Sequence, residues 1–372
     1  MREMNSSTIP AEPVKILRHN RSQSPFAPAA HLAARERPPT INRTTPRISS
    51  LLVLVAAVGA AIGLSLWIGS TTSSFAELRH ALLAPDGQVS DIAIREIRWP
   101  RTVTALAAGA ALGMAGTLIQ GHTRNPIAEP GLLGINQGAA LAIVSVAAFT
   151  GPQPAWTQAL LALGGALLAA LVVFGIGRID GRGGSPITLL LVGAAVTALC
   201  AGVVSAIVLL SEAALETLRF WQVGSVAQGY ESFLSLWPLL IAGTVLALAN
   251  ARGLNALTLG EDSARSLGIT ALHARGLGLA AIVALSGLAV TLAGPIAFLG
   301  LLVPHIARRI FGADYRWVIP GSALCGALLL CVADVLGRML ARPGELPVGV
   351  VIALLGAPFF IYVARRRKAV SV

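Results

Sequence analysis

The residue types that do chemistry in proteins are few in this sequence and stand apart from one another. A nucleotide-binding P-loop needs a lysine directly after a glycine, so that the ammonium group reaches the phosphates. The chain has two lysines and neither meets this condition, because Lys15 follows Val14 and Lys368 follows Arg367. The sequence therefore excludes a standard P-loop, and any energy from ATP would have to come from another polypeptide.

Histidines and cysteines also lack the spacing of a catalytic or metal-binding site. The histidines lie in the N-terminal region, in loops and at helix ends, at His19, His31, His80, His122, His273 and His305. Cys200, Cys325 and Cys331 lie inside apolar runs without Cys-x-x-Cys spacing, which is typical of small buried residues. We therefore expect no catalytic residue, no metal site and no cofactor, which disfavours a membrane enzyme.

Composition places the chain in the membrane class. Of its 372 residues 55% are hydrophobic and only 12% are charged, whereas soluble domains carry about 25% charged residues. The net charge is +11, but the basic residues are not clustered with the stacking aromatic residues of a nucleic-acid site. We therefore expect lipid and protein partners and no nucleic acid.

Apolar runs long enough to cross a bilayer recur along the chain. About 20 apolar residues span the hydrocarbon core as a helix. This criterion predicts an all-α membrane protein with ten spans, near residues 50–69, 102–121, 131–150, 157–177, 186–210, 232–250, 273–293, 296–311, 317–337 and 347–364. Residues 1–48 contain no apolar run and predict a disordered basic tail.

Arginines predict the orientation of the spans. An even number of spans puts both termini on one side, and most connections on that side are rich in arginine, which favours the cytoplasm. The arginines placed outside are exceptions, and they are Arg79, Arg95, Arg98, Arg101, Arg219, Arg338 and Arg342. Such exceptions are candidates for function.

The spans themselves are almost free of charge. Proton- or sodium-driven transporters usually carry ionisable groups in mid-span, whereas here the main exception, Asp334, lies near a span end, four residues before Arg338. A local ion pair is the simple interpretation of that spacing. Spans without charge favour a transporter that receives its energy from another polypeptide. A secondary transporter or a channel stays open as the alternative.

One short motif occurs twice. Pro126-Ile-Ala with Gly131-Leu-Leu recurs 169 residues later as Pro295-Ile-Ala with Gly300-Leu-Leu. The offset relates the second span to the seventh, which would give two five-helix halves of opposite orientation. Chance similarity between apolar segments is the alternative. The first copy also predicts a turn, in which Arg124, Asn125 and Pro126 end one helix and Pro130 and Gly131 begin the next.

A polar stretch on the cytoplasmic side predicts a short helix at 258–268. Thr258 and Glu261 have the spacing of a capping box, and Gly268 would stop the helix. A helix of this length is unstable alone in water, so a partner or the membrane surface must hold it. A docking helix for a motor subunit fits, and a simple surface connector is the alternative. The residues singled out for docking are Thr258, Gly260, Glu261, Ala264, Arg265, Leu267 and Gly268.

Six motifs together resemble the FecCD family of importer permeases. They are RWPRT at 98–102, RNPIAEPGLLG at 124–134, LGEDSARSLG at 259–268, GLLVPHIAR at 300–308, ELPVGV at 345–350 and LGAP at 355–358. They occur in the family's order and spacing over about residues 50–368. The family serves importers for ferric siderophores, haem and cobalamin.

The resemblance implies a transport subunit of an ATP-binding-cassette importer in the bacterial inner membrane, which is not itself an enzyme. A second permease subunit, as a homodimer or heterodimer, would enclose the pathway. Cytoplasmic ABC ATPases would bind at 258–268, and an extracytoplasmic substrate-binding protein would dock on Arg98, Arg101 and Arg338. For Arg338 the alternative is its pair with Asp334, and for the other two it is snorkelling at the interface.

The family's inner gate lies near the start of the fifth span. Here that region reads GGSPIT at 183–188 and departs from the expected pair of small hydroxyl residues. Ser185 and Thr188 are therefore only a candidate gate region. Ferric siderophore is the first expectation for the substrate, with haem and cobalamin as alternatives.

Overall fold

The computed structural model describes residues 44–69, 74–177 and 186–368. Their secondary structure consists of fourteen α-helices and shorter helical turns, without a β-strand. The helices are α1 Thr44–Trp67, α2 Phe75–Leu83, α3 Val89–Ile92, α4 Trp99–Thr123, α5 Ile135–Thr150, α6 Ala155–Gly177, α7 Pro186–Leu210, α8 Glu212–Gln222, α9 Tyr230–Thr258, α10 Glu261–Ser266, α11 Ala271–Ala293, α12 Leu299–Phe311, α13 Tyr315–Leu340 and α14 Val348–Lys368. The predicted all-α fold is confirmed.

Two shorter helical segments adjoin these helices. A π-helical segment, Ala93–Arg98, joins α3 to α4 without a break. A 3₁₀ turn, Pro130–Leu133, precedes α5. The third predicted span therefore begins as an α-helix at residue 135 rather than 131, because the chain first makes this tighter turn.

Each of the ten predicted spans overlaps a helix. Among the described residues seven helices are long and apolar enough to cross a membrane by themselves, and Ile135–Thr150 and Val348–Ile361 are shorter apolar helices. At 1.5 Å per residue the thirteen residues of α12 reach only about 20 Å, less than the hydrocarbon core. The predicted boundary between the seventh and eighth spans is confirmed, since α11 ends at Ala293 and its C-cap residue Gly294 has a φ of 70°.

α4 lies in the middle of the bundle, with α9, α11 and α13 packed around it. Its contact with α13 brings two backbones together, because a methyl group on Gly109 would lie 2.3 Å from the carbonyl oxygen of Gly326. Gly113 meets the carbonyl of Ser322 in the same way, at 2.2 Å. Small residues at four-residue spacing allow helices to pack this closely.

The bundle has two ends, which we name by their contents. The segment end contains residues 259–269, the last turn of α9 and the first turn of α13. The arginine end contains the start of α4 and the last turns of α1 and α13. Because α4 and α13 run from one end to the other, polar groups at their opposite termini lie at opposite ends of the molecule.

The predicted N-terminal tail requires one correction. Residues 44–48 were assigned to the tail, but they form the first turn of α1. The remainder of the tail, 1–43, lies outside the described residues. The described residues form one compact unit.

Candidate functional site

The candidate coupling segment, residues 259–269, follows directly on a helix of the bundle. α9 continues without interruption to Thr258, whose hydroxyl donates to the carbonyl of Asn255 at 2.6 Å. The next helix, α10, begins at Glu261 after Gly260, which has a φ of 107° and provides no side-chain cap. The predicted capping box of Thr258 and Glu261 is therefore wrong, because Thr258 is still part of the preceding helix.

The end of α10 agrees with the prediction at Gly268. Gly268 has a φ of 74°, a conformation that favours glycine. Its N–H donates to the carbonyl of Arg265, and the N–H of Ile269 donates to the carbonyl of Ala264, both at 2.9 Å. These two bonds form a Schellman motif, which satisfies carbonyls at the helix end.

Tertiary contacts hold α10 in place. Ala264 is fully buried in a small apolar cluster with Leu257 and Ala274. The Glu261 carboxylate accepts a hydrogen bond from Arg275 of α11 at 2.5 Å. A six-residue helix gains its stability from such contacts rather than from its own propensity, so the predicted need for a partner is met partly inside the chain.

Three leucines in or beside the coupling segment are exposed. Leu259, Leu267 and Leu272 are 68%, 62% and 59% exposed, and Asp262 and Arg265 pair weakly beside them at 3.8 Å. We call these three leucines the leucine rim. Leu267 was singled out from the sequence, whereas Leu259 and Leu272 were missed because they flank the polar stretch.

The base of the coupling segment is tied to neighbouring helices. Arg124 donates to the carbonyl of Leu257 at 2.5 Å, and Asn255 donates to Asp314 at 2.7 Å. Deeper in the bundle His122 and Asn250 are 2.7 Å apart. Asn255 and Asp314 were not predicted, because no local pattern relates residues 59 positions apart.

The turn predicted at 124–131 is present with modified details. α4 ends at Thr123, and Arg124 takes a left-handed conformation with a φ of 49°. The side chain of Asn125 accepts from the N–H of Ile127 at 3.1 Å, which is an Asx-type turn. Pro130 and Gly131 then begin the 3₁₀ turn rather than an α-helix.

The two copies of the short motif that occurs twice, at 126–133 and 295–302, contact each other. The carboxylate of Glu129 accepts from the N–H of Phe298, a residue 169 positions later, at 2.9 Å. A methyl group on Gly300 would lie 3.0 Å from Pro130. The inverted repeat itself stays a prediction.

At the arginine end, arginine side chains satisfy the carbonyls with which α1 terminates. A helix leaves its last carbonyls without partners inside the helix, and cations there are favourable. Arg98 donates to the carbonyl oxygens of Leu66 and Trp67 at 2.9 Å each. Arg338 donates to those of Ser65 and Ile68 at 3.1 and 2.7 Å. Arg342 donates to that of Gly69 at 2.8 Å. Three exceptions to the positive-inside trend thus have structural partners.

Arg101 links two acidic residues at the same end. It donates to Asp334 at 3.0 Å and also to Glu345, which lies in the loop before α14. Asp334 is 3.0 Å from Arg338 as well, so the local pair expected from the i,i+4 spacing is present. Asp334 therefore lies between two guanidinium groups.

The three arginines assigned to docking are buried in this chain. Arg98, Arg101 and Arg338 are 4%, 7% and 2% exposed. Arg101 and Arg338 are paired with Asp334, and Arg101 is also paired with Glu345. Their docking role stays a prediction, because little of each guanidinium group is accessible to a partner.

A cavity of about 1020 Å³ also opens at the arginine end. It is lined by Glu212, Glu216 and Arg219 of α8, and by Gln158 and Thr291 among other residues. The sequence did not predict α8, because an amphipathic helix of eleven residues contains no apolar run long enough for a span.

One group of metal-ligand types lies near the arginine end. Among the described residues His80, Asp86 and Asp91 are close enough to share a cation. In the structure the two ring nitrogens of His80 face one carboxylate each, Asp91 at 3.4 Å and Asp86 at 3.8 Å. This arrangement already joins α2 to α3 without an ion.

The candidate gate region is only partly described. Ser185 lies outside the described residues, and Thr188 lies in the first turn of α7. Their role in a gate stays a prediction.

These features define a class of protein: a multi-pass helical membrane protein with an apolar bundle and polar contacts concentrated at its two ends. The chain belongs to the FecCD transport family, whose model matches residues 53–366. The family predicted from the six motifs is confirmed. Members of this family are the membrane permease subunits of ABC importers and are not themselves enzymes.

Curated relatives and a solved structure agree with this assignment. The chain is 43% identical over 319 residues to the ferric enterobactin transport system permease protein FepD of Escherichia coli (strain K12), covering 85% of this chain and 94% of FepD. It is 37% identical to the hemin transport system permease protein HmuU of Yersinia pestis, covering 88% and 98%. A metal-chelate type ABC transporter in an inward-facing conformation matches with a TM-score of 0.74 at 27% identity, over 86% of this chain and 99% of the other.

Proposed function

We propose that this chain forms the membrane pathway for a ferric-siderophore type iron complex and is driven by a separate ABC ATPase. The observation that carries the proposal is the coupling segment, a short helix fixed to the bundle by Ala264 and Glu261 with an exposed leucine rim. The name of FepD, the relative at 43% identity, supports an iron siderophore as the substrate. Haem is the second candidate, favoured by the match to HmuU, and cobalamin remains the third.

An apolar rim around a fixed helix suits docking of a motor subunit. A fully buried leucine contributes about 1.5–3 kcal/mol by the hydrophobic effect, so three exposed leucines offer a substantial binding contribution to a partner that covers them. Exposed apolar residues outside the lipid-facing part of a chain favour contact with a partner, and we assign the three leucines to that contact. The almost uncharged spans are consistent with energy delivered from the ATPase at this site.

The segment end would face the cytoplasm, with both termini on that side. Several arginines belong to this end, among them Arg124, Arg252, Arg275, Arg308 and Arg316, and the positive-inside rule places such residues in the cytoplasm. The protein would then lie in a bacterial cytoplasmic membrane, with the arginine end exposed to the extracytoplasmic side.

At the arginine end an extracytoplasmic substrate-binding protein would dock. Arg98, Arg101 and Arg338 are the residues that would pair with acidic residues of that partner. A second permease subunit, as a homodimer or a heterodimer, would complete the pathway. Transport would follow alternating access, in which closure of the ATPase dimer moves the coupling segment and the bundle with it.

The leucine rim gives a direct experimental test. Leu267→Glu should weaken association of the ATPase with the permease by about 10- to 100-fold, because a charge replaces about 1.5–3 kcal/mol of apolar burial. ATP-dependent uptake should fall in parallel. Association is measured by titrating labelled ATPase onto the permease in nanodiscs.

Leu83→Glu is the matched control, since Leu83 is also an exposed leucine but lies on α2 at the other end. It should leave association of the ATPase unchanged. Unaltered association and uptake with Leu267→Glu would show that 258–268 is not the docking site.

A further inference from the structure

A hydrogen-bonded pair joins the root of the coupling segment to the first turn of α13. Asn255 lies on α9, one helical turn before the coupling segment begins. Asp314 is the N-cap residue of α13, where its carboxylate accepts from the N–H of Arg316 at 3.0 Å. The two side chains meet at 2.7 Å. We call them the α9–α13 clamp.

Both polar atoms of the Asn255 side-chain amide form hydrogen bonds. Its Nδ2 donates to Oδ1 of Asp314, and its Oδ1 accepts from the N–H of Tyr315 at 3.0 Å. An ionised carboxylate can only accept and a backbone N–H can only donate, so the partners fix the orientation of this amide. Two bonds from one rigid group resist both sliding and rotation between the helices.

The clamp also reaches α1. Arg47, in the first turn of α1, lies 3.8 Å from the Asp314 carboxylate. Thr258, at the end of α9, bonds to the carbonyl of Asn255 and keeps the last turn of that helix regular. The clamp therefore lies between the exposed coupling segment and two helices of the bundle.

α13 continues from the clamp to the arginine end. Its 26 residues extend about 39 Å at 1.5 Å per residue. Near its other terminus Asp334 pairs with Arg101 of α4, and Arg338 bonds to the last carbonyls of α1. One continuous helix thus connects the side chains of the clamp with the charged cluster at the opposite end.

From this arrangement we infer that Asn255 and Asp314 are positioning residues that pass displacement of the coupling segment to α13, and through α13 to the arginine end. The inference rests on the proposed docking of an ATPase at the coupling segment. An ATPase that moves the segment acts first on α9 and α11, the helices that α10 contacts. Two bonds from Asn255 give α13 the same displacement.

A pair of substitutions tests the clamp. Asn255→Asp places two carboxylates face to face and should break the contact, while Asp314→Asn added to it restores an amide opposite a carboxylate. Asp314→Asn alone keeps the bond from Asn255 and serves as the matched control. Each permease is assembled with its ATPase and binding protein in proteoliposomes, and uptake of ⁵⁵Fe-labelled ferric enterobactin is measured together with ATP hydrolysis.

Asn255→Asp should lower the iron transported per ATP hydrolysed about tenfold while the ATPase binds as in the unaltered complex. The double variant should return that ratio to within about twofold of the unaltered complex, and Asp314→Asn alone should stay near it. A ratio unchanged in Asn255→Asp, or a defect that the second substitution does not reverse, would overturn the inference. Failure of the proposed function is a separate outcome, because the unaltered complex would then show no ATP-dependent uptake.

Discussion

At the scale of single residues, the arginine end illustrates how a membrane protein accommodates buried charge. Asp334 lies between Arg101 and Arg338, both 3.0 Å away. The guanidinium group of Arg338 also donates hydrogen bonds to the carbonyls of Ser65 and Ile68. Buried ions persist in proteins when they are paired and hydrogen-bonded. The cluster therefore stabilises this end of the bundle.

Removal of the Asp334 carboxylate should lower the stability of the protein. Asp334→Ala leaves two buried guanidinium groups without this partner, and breaking a buried pair typically costs about 3–5 kcal/mol. Thermal unfolding of the purified protein in detergent should show a large fall in Tm. Arg265→Ala, which breaks the exposed pair with Asp262, is the control and should leave Tm unchanged. Equal Tm values for the two variants would contradict the assigned role of Asp334.

Local spacing predicted only part of this residue-level structure. The Asp334–Arg338 pair follows from four-residue spacing on one helix, but the bonds from Arg338 to Ser65 and Ile68 join residues about 270 positions apart. The capping box at Thr258 was wrong because apolar periodicity does not reveal that α9 continues beyond its apolar part. Glu345 and Asn255 were missed for the same reason as Ser65, namely that their partners are distant in sequence.

At the scale of helices, the contact between α4 and α13 depends on the absence of side chains. Gly109 and Gly326 each lie against the backbone of the other, with a hypothetical methyl group 2.3 or 2.1 Å from the opposing carbonyl oxygen. Lipid chains are as apolar as the helices, so dispersion between closely approaching backbones is a principal source of helix association. Both helices also connect the two ends of the bundle.

An added methyl group at this contact should separate the helices. We expect Gly109→Ala to destabilise the protein by about 1–3 kcal/mol, the usual cost of overpacking. Gly164→Ala on α6, where no atom lies within 4 Å of the added methyl group, should be neutral or stabilising by up to about 1 kcal/mol. Detergent unfolding monitored by circular dichroism compares the two. A Gly109→Ala protein as stable as Gly164→Ala would exclude the close contact.

Helices as elements were largely predictable, since a span needs a long apolar run and such runs are visible in the sequence. Each predicted span overlaps a helix, and the all-α class follows. The shorter elements were harder to predict from the sequence. α2 and α8 lack the length of a span, and the local signal at Pro130 and Gly131 predicted a turn but not its 3₁₀ type.

At the scale of the whole molecule, the two ends differ in chemistry and the apolar middle separates them. The segment end exposes the leucine rim beside the coupling segment, and the arginine end holds buried, hydrogen-bonded arginines beside a cavity of about 1020 Å³. Helices α4 and α13 extend from one end to the other. This division suits a permease that receives motion at one face and substrate at the other.

The central claim is that an ATPase in a separate polypeptide drives transport through this chain. The most direct measurement is accumulation of ⁵⁵Fe-labelled ferric enterobactin in proteoliposomes, with the permease alone and with the permease plus its ATPase and binding protein. The account predicts uphill accumulation only in the full complex with ATP, and none with the permease alone under a proton or sodium gradient. Uphill accumulation by the permease alone would contradict the account.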